Sequence, residues 1–368
     1  MRDRFVIPQR LYGRETEIAR LLEAFDRVAA GATELVLVSG YSGIGKTSLI
    51  QEIHRSLAQR RGHFIAGKFD QLARDVPYGA LAHAFEGLVR HLLAGTDDEV
   101  AVWRGGVLQA LGASGQVLVE VIPSLARLIG PQPPVPPMGP TEAQNRFNRL
   151  FQQFLGVFAR PEHPLVLFLD DLQWADAATL TLLPLFLANP DLSGLLVIGA
   201  YRDNEVSPTH PLTATIEQVA ARGSALTRIT LPPLEAQHLA ALLGDAIGDE
   251  PQVIGPLSAV VQEKTGGNPF FAIQFLGSLH QDGQVAYDRA TRAWRADLAA
   301  IRGLRMTENV VDLMAARILR LGQPTRRVLR LAACVGNRFD LATLATVREA
   351  SPARCAADLW PAVEQGLV

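Results

Sequence analysis

Short apolar runs alternate with stretches in which apolar residues return every three or four positions, and the alternation persists to about residue 233. The short runs predict strands at 35–39, 63–67, 165–169, 195–200 and 226–231. Those at 165–169 and 195–200 are apolar on both alternations, as expected of strands covered by helices on both faces. Helix-period positions include Ile18, Leu21, Leu22 and Phe25, and then Leu49, Ile50, Ile53 and Leu57, with further helices expected near 78–94, 98–111 and 142–159. Strands alternating with helices predict an α/β domain with a parallel five-stranded sheet. Pro131 to Pro140, with Pro133, Pro134, Pro136 and Pro137 between them, reads as a stiff exposed connector or, alternatively, as a docking segment.

After Pro232 and Pro233 the pattern turns helical, with helices expected at 235–247, 253–265 and 270–282 and a hairpin within 284–298. Another helical unit is expected from Met306, where Val310, Leu313, Met314 and Ile318 share a helical spacing. The resulting division is 1–233, 234–305 and 306–368. The last residues, Ala362 to Val368, carry no polar tail or capping signal, so a longer parent chain is expected.

Composition narrows the class. Hydrophobic residues make up 48% and charged residues 20% of the 368, which suits a globular core and excludes a disordered chain. Thirty-five Lys and Arg against 37 Asp and Glu leave a formal charge of −2, with no overall pull toward nucleic acid or an anionic membrane. Cys334 and Cys355 are too few for a disulfide framework, so a reducing cytoplasm is expected. No apolar run approaches the ~20 residues of a membrane span. Only three of the basic residues are lysines, Lys46, Lys68 and Lys264.

One of those lysines sits in the strongest motif. Gly40 to Thr47 reads G-x-x-x-x-G-K-T, between an apolar strand and an amphipathic helix. The residue frequencies of this chain predict on the order of 0.002 such matches by chance. Glycines let backbone N–H groups turn inward around phosphate oxygens, and the following helix points its positive end at the same place. Lys46 is a compact charge able to reach β- and γ-phosphates where a planar guanidinium would not fit. The candidate nucleotide contacts are therefore Gly40, Ser42, Gly43, Ile44, Gly45, Lys46, Thr47 and Ser48, with the Thr47 hydroxyl a candidate Mg²⁺ ligand.

The run Leu165 to Leu169 ends in Asp170 and Asp171, a candidate Walker B strand. Asp170 would hold Mg²⁺ and Asp171 would orient or deprotonate the attacking water, unless both are solvated acids at a strand end. Asp176 is expected to cap the next helix, and Trp174 to pack. One strand further on, Arg202 follows the apolar run at 195–200, where it could sense a γ-phosphate or simply pair with Asp203 or Glu205. Lys264 to Phe271 is a turn between helices. The guanine-reading N-K-x-D and the metal-binding H-E-x-x-H patterns are absent, and Ile44 breaks a G-x-S-x-G elbow.

Taken in order, Leu11-Tyr12-Gly13-Arg14-Glu15, the P-loop, Gly67-Lys68-Phe69-Asp70-Gln71, Leu167 to Asp176 and Thr265 to Phe271 resemble the AAA+-related ATPase module of signal-transduction ATPases with numerous domains, the STAND class. The likeness is to the module of large bacterial hybrid sensor kinases, where it stands between a Ser/Thr-kinase-like domain and GAF and histidine-kinase domains, and to that of large LuxR-type activators. The resemblance implies a P-loop NTPase core, a helical lid and a winged-helix-like C-terminal unit. It implies that Leu11, Tyr12, Gly13 and Arg14 lie against adenine, that Pro269 reports ADP against ATP to the lid, and that Arg202 is the arginine after the fourth core strand. It also implies flanking kinase and sensor domains as partners and nucleotide-dependent self-assembly.

The expected function is an ATP-binding, slowly hydrolysing switch, with ATP or ADP and Mg²⁺ as cofactors and Lys46, Asp171 and Arg202 as catalytic residues. The alternative from another class is a DNA-associated AAA+ ATPase, drawn from Arg317, Arg320, Arg326, Arg327, Arg330 and Arg338 in the C-terminal unit. The flanking acids and the near-zero net charge favour reading those arginines as a solvated face. A scaffold that binds nucleotide without cleaving it is a third possibility, opposed by the intact Lys46, Thr47, Asp170 and Asp171.

Overall fold

Alternation along the strands divides the core. In a computed structural model of the chain, β1 (Thr33–Ser39), β2 (His63–Lys68), β3 (Leu165–Asp170), β4 (Leu195–Tyr201) and β5 (Ala225–Thr230) form one all-parallel sheet in the order β2-β3-β4-β1-β5. The structure describes residues 5–8, 10–57, 62–72, 74–248, 250–304, 315, 318–336, 339–364 and 367–368. Leu35, Leu37, Leu165, Leu167, Leu169, Leu195 and Val197 point to one face, into a large cluster with the helices that follow β2 and β3. Val36, Val38, Val166, Phe168, Leu196, Ile198 and Ala200 point to the other, against α1 (Glu15–Ala29) and α2 (Lys46–Leu57). Both faces are covered, which is why β3 carries no polar residue before Asp170.

The long segment between β2 and β3 holds α3 (Gly79–Leu92), α4 (Asp97–Leu111), two short helices, α5 (Gln116–Val119) and α6 (Leu125–Ile129), and α7 (Pro140–Phe158). Thr96 and Glu99 close a capping box at the start of α4. The proline-rich stretch runs largely exposed and without regular structure until Pro140 takes the first position of α7, where its missing N–H costs nothing. The buried face of α7 is aromatic: Phe147, Phe151, Phe154 and Phe158 repeat at helical spacing, and the last three meet Phe85 of α3. Asp176 caps α8 (Ala177–Leu187) through the Thr179 N–H at 2.8 Å, as expected. α9 (Pro211–Ala221), a helix beyond those expected from the sequence, is started by His210 and Pro211.

Past β5, α10 (Ala236–Ile247), α11 (Pro251–Thr265) and α12 (Pro269–Gln281) lead to the antiparallel hairpin β6 (Val285–Asp288) and β7 (Ala293–Ala296). Met1–Leu298 form one compact unit and Ala299–Val368 a second. Among its described residues the second unit is helical: helices Gln323–Val335, Leu341–Arg348 and Pro352–Glu364 enclose Val328, Ala332, Leu344 and Leu359. Met306, Val310, Leu313, Met314, Arg317 and Arg338 lie outside the described residues. Among the described residues no helix is long and apolar enough to cross a membrane.

Phe154 is fully buried, with ring centroids 5.1 Å from both Phe85 and Phe158. Phe154→Ala should lower unfolding free energy by about 3–5 kcal/mol, read as a fall in the urea midpoint. A loss under about 1 kcal/mol would show that α3 and α7 are not a cooperative part of the core.

Candidate functional site

Because all five strands are parallel, their C-terminal tips share one edge, where the polar residues gather. From β1 the chain enters the loop Gly40 to Gly45, in which Gly40, Gly43 and Gly45 all have positive φ, and then α2, which begins at Lys46. A side chain at Gly43 would stand 2.8 Å from Cβ of Phe270 and 3.0 Å from Asn268 Oδ1, so the loop needs glycine there for α12 to approach it. Lys46 Nζ donates to the carbonyls of Gly40, at 2.7 Å, and Tyr41, at 3.0 Å. Burial, and then the charge of Arg202, lower the pKa of the Lys46 ammonium.

The two acids follow β3. Thr47 Oγ1 donates to Asp170 Oδ2 at 3.0 Å, joining the end of the phosphate loop to the acid-bearing strand. Burial, and then neighbouring Asp171, raise the pKa of the Asp170 carboxyl, against the opposing pull of Lys68 and the Thr47 hydroxyl. Asp171 sits in the left-handed region at φ 56°. Its Oδ1 accepts from Gln173 Nε2 at 2.8 Å, while the backbone N–H of Arg202 donates to Gln173 Oε1 at 3.2 Å. Buried Gln173 thus ties the tip of β3 to the tip of β4. Arg202 lies over the Trp174 ring at 4.9 Å, pairs with Glu205 at 2.7 Å and approaches Asp171 at 3.6 Å. The expected surface pairing with Glu205 is present, and the same side chain also faces Asp171.

Two cavities meet here. One, of about 290 Å³, is lined by Ser42, Gly43, Gly45, Lys46, Thr47 and Ser48 of the loop and by Lys68, Asp170, Asp171 and Arg202. The other, about 520 Å³, is walled by Ile7, Pro8, Leu11, Ile44, Leu234 and Leu242 together with Arg10, Arg14, Gln51 and Glu52. Gly45, Ser48, Pro269 and Ile273 line both, which makes them neighbouring chambers with Pro269 at the seam. The sequence-expected residues thus fall into one chamber holding Lys46, Thr47, Asp170, Asp171 and Arg202 and a second where Leu11, Tyr12 and Arg14 meet walls of mixed apolar and polar character.

The segment at the second chamber is held in detail. The Tyr12 hydroxyl donates to Asp245 of α10 at 2.9 Å, and burial together with that carboxylate pushes its pKa up to about 12. A Cβ at Gly13 would collide with the His238 ring at 2.5 Å. The buried Arg14 guanidinium donates to the Pro232 carbonyl at 2.6 Å. Leu11 and Arg14 line the larger cavity, whereas Gly40 acts through its carbonyl on Lys46. Ile44 is 1% exposed and also anchors the loop in the core beneath α1 and α2.

Sequence reasoning did not assign Lys68, Gln173, Asn268, His238 or Asp245. Asn268 caps α12 and reaches across to donate to the Ser42 carbonyl at 2.9 Å, while Phe270 N–H donates to Gly43 O at 3.3 Å. The turn before α12 is thus bonded directly to the phosphate loop. The scarcity of lysine was the one signal that could have singled out Lys68. Among the described residues no group of three or more His, Cys, Asp and Glu is placed to hold a metal.

Residues 10–198 match the family model of the AAA ATPase domain. The chain is 32% identical to "Hybrid signal transduction histidine kinase G" of Dictyostelium discoideum over 95% of its own length, and 22% identical to "Histidine protein kinase 1" of Candida albicans over 46%. It spans 12% and 7% of the lengths of those two proteins. Among solved structures it is similar to the ORC2 protein of Aeropyrum pernix, with 16% identity, TM-score 0.48 and coverage of 100% of this chain and 89% of that one. It is also similar to Cdc6p of Pyrobaculum aerophilum, with 13% identity, TM-score 0.45 and coverage of 98% and 88%.

The buried Asp170 generates a prediction about pH. Its pKa is higher in the folded than in the unfolded chain, so its charged form costs stability, and the cost grows as pH rises from the ordinary carboxylate range through the raised value. Without divalent cation, Asp170→Asn should therefore raise the thermal midpoint at pH 7.5, and the gain should shrink as pH is lowered toward 5. Added Mg²⁺ should stabilise the parent more than the variant. A variant less stable than the parent at pH 7.5 would overturn this account.

Proposed function

The chain belongs to the AAA ATPase domain family, and from that premise we propose that it is the ATP-binding, slowly hydrolysing switch of a larger signal-transduction protein of the STAND kind. The observation that carries this reading is the convergence on one 290 Å³ cavity of Lys46, Thr47, Asp170, Asp171 and Arg202. Loop N–H groups and Lys46 bind the phosphates, and the larger cavity beside Leu11, Tyr12, Gly13 and Arg14 takes the adenine. Asp171 orients the attacking water and accepts its proton, and Arg202 faces the transferred phosphate.

The donors suit Mg²⁺. Thr47 Oγ1 and Asp170 Oδ2 are two hard oxygen ligands 3.0 Å apart at the phosphate end of the cavity, and Mg²⁺ characteristically takes one or two protein oxygens together with substrate phosphates and water. Bound there, it supplies positive charge to the phosphate oxygens. The raised pKa of Asp170 supports the same assignment, since an acid disfavoured as a bare carboxylate is one that gains from a cation.

The switch reading has its own support. Asn268 and Phe270 hold the Ser42 and Gly43 carbonyls, and Pro269 lines both cavities, so a change at the phosphates has a bonded route to α12. In this proposal residues 1–233 are the catalytic core, 234–305 the lid and 306–368 a winged-helix-like or helical unit that transmits the lid position. ATP favours an open, assembling state and ADP a closed one, because only ATP presents a γ-phosphate to Lys46 and Arg202. Flanking kinase and sensor domains in the cytoplasm receive the signal, a reading supported by the likeness to hybrid histidine kinase G.

The first test is the nucleotide released when the purified chain is denatured. Stoichiometric ADP from the parent and none from Lys46→Ala is expected, with turnover below about 10 s⁻¹ when ATP is supplied. Faster steady turnover would contradict the switch. Asn268→Ala, which removes the bond to the Ser42 carbonyl, should speed nucleotide release by about 3–10-fold in stopped flow, and an unchanged rate would remove this contact from the proposed route.

A further inference from the structure

Two of the three lysines in a chain with 35 basic residues line the same cavity. Lys46 is engaged with the Gly40 and Tyr41 carbonyls. The lysine that stands against the acids is Lys68, the last residue of β2, in parallel register beside Asp170. Its Nζ lies 3.1 Å from Asp171 Oδ2 and 3.8 Å from Asp170 Oδ2. The side chain is 54% exposed, and ion pairs of that kind contribute only about 0–1 kcal/mol to stability. A structural role would therefore gain little from this lysine, and in a chain that otherwise uses arginine it would have no need of one.

Charge balance suggests what the lysine is for. The cavity is lined by three cations, Lys46, Lys68 and Arg202, and two carboxylates, Asp170 and Asp171, a formal excess of one positive charge when all are ionised. Arg202 already divides its charge between Glu205 and Asp171 while lying over Trp174. An arginine in place of Lys68 would fork onto both oxygens of a carboxylate and stay there. An ammonium on a flexible four-carbon stem exchanges one acceptor for another at little cost. With Mg²⁺ bound, a nucleoside triphosphate brings one more negative charge than a diphosphate, and that charge resides at the terminal phosphate.

We infer that Lys68 is a second phosphate-binding lysine, a ligand of the terminal phosphate that makes the site prefer a nucleoside triphosphate to a diphosphate. When the triphosphate binds, the ammonium leaves the acid pair for a phosphate oxygen, and Asp171 Oδ2 loses its cation. This rests on the nucleotide-switch reading above and adds to it the residue that counts phosphates.

The scarcity of lysine makes the test direct. Reductive methylation of the parent chain, read by mass spectrometry, labels Lys46, Lys68 and the reference Lys264 of α11 on separate peptides. Relative to the chain stripped of bound nucleotide, a non-hydrolysable ATP analogue with Mg²⁺ should protect Lys68, whereas ADP with Mg²⁺ should leave it as reactive as in the stripped chain. Equal labelling of Lys68 in the two states would overturn the inference. If neither nucleotide binds the stripped chain at all, the nucleotide reading itself fails. In competition binding, Lys68→Met should lose about tenfold or more in affinity for the triphosphate analogue and less than about twofold for ADP. Equal loss for both nucleotides, or loss for neither, would count against it.

Discussion

A parallel sheet covered on both faces has nowhere to place charge except at its ends, and the rest of this molecule follows from that constraint. β3 runs through the centre of the core as an unbroken apolar strand and delivers two carboxylates where it emerges. Burial makes those carboxylates costly, so every neighbouring element supplies a donor or a cation: Thr47 from α2, Lys68 from β2, Gln173 from the turn after β3 and Arg202 from beyond β4. Each comes from a different strand tip or helix start, so their meeting is a consequence of strand order.

The same economy links the site to the helices after β5. Backbone carbonyls of a glycine-rich loop need partners, and two of them, on Ser42 and Gly43, find theirs on Asn268 and Phe270 at the start of α12. At the other cavity, Tyr12 and Arg14 are hydrogen-bonded to Asp245 and the Pro232 carbonyl, and Gly13 lies close against the His238 ring. The glycine-rich loop and the Leu11–Arg14 segment are therefore both held by the helices that follow β5. Hydrogen bonds of 2.9 and 3.3 Å thus tie the loop to the start of α12.

Charge in the cavity is balanced with little to spare. Lys46 gives two of its protons to loop carbonyls, Arg202 divides itself among Glu205, Asp171 and the Trp174 face, and Lys68 stands half exposed beside the acids. Desolvation acts on both signs at once, lowering the pKa of Lys46 and raising that of Asp170. A site in which both buried signs are disfavoured gains from any ligand that carries the opposite charges in the right order, and a metal–nucleotide complex does so.

The sequence by itself determined the elements and the principal chemistry. Apolar runs located four of the five strands to within a residue at either end and β1 to within two, because the strands buried on both faces are dominated by apolar residues while β1 opens on Thr33 and Glu34. Gly40 to Thr47 identified the phosphate loop because its backbone geometry demands glycine at fixed spacing, and Asp176 was legible as a cap because capping is local. Tertiary structure alone decided the strand order β2-β3-β4-β1-β5, which brings Lys68 beside Asp170 across about 100 residues of intervening chain. It alone decided that Gln173 spans two strand tips, that Asn268 reaches Ser42, and that Tyr12 meets Asp245 from 233 positions away. Periodicity and turn chemistry are properties of neighbouring residues and survive in one dimension. A hydrogen bond between distant segments depends on how the sheet is ordered, and no local pattern records that.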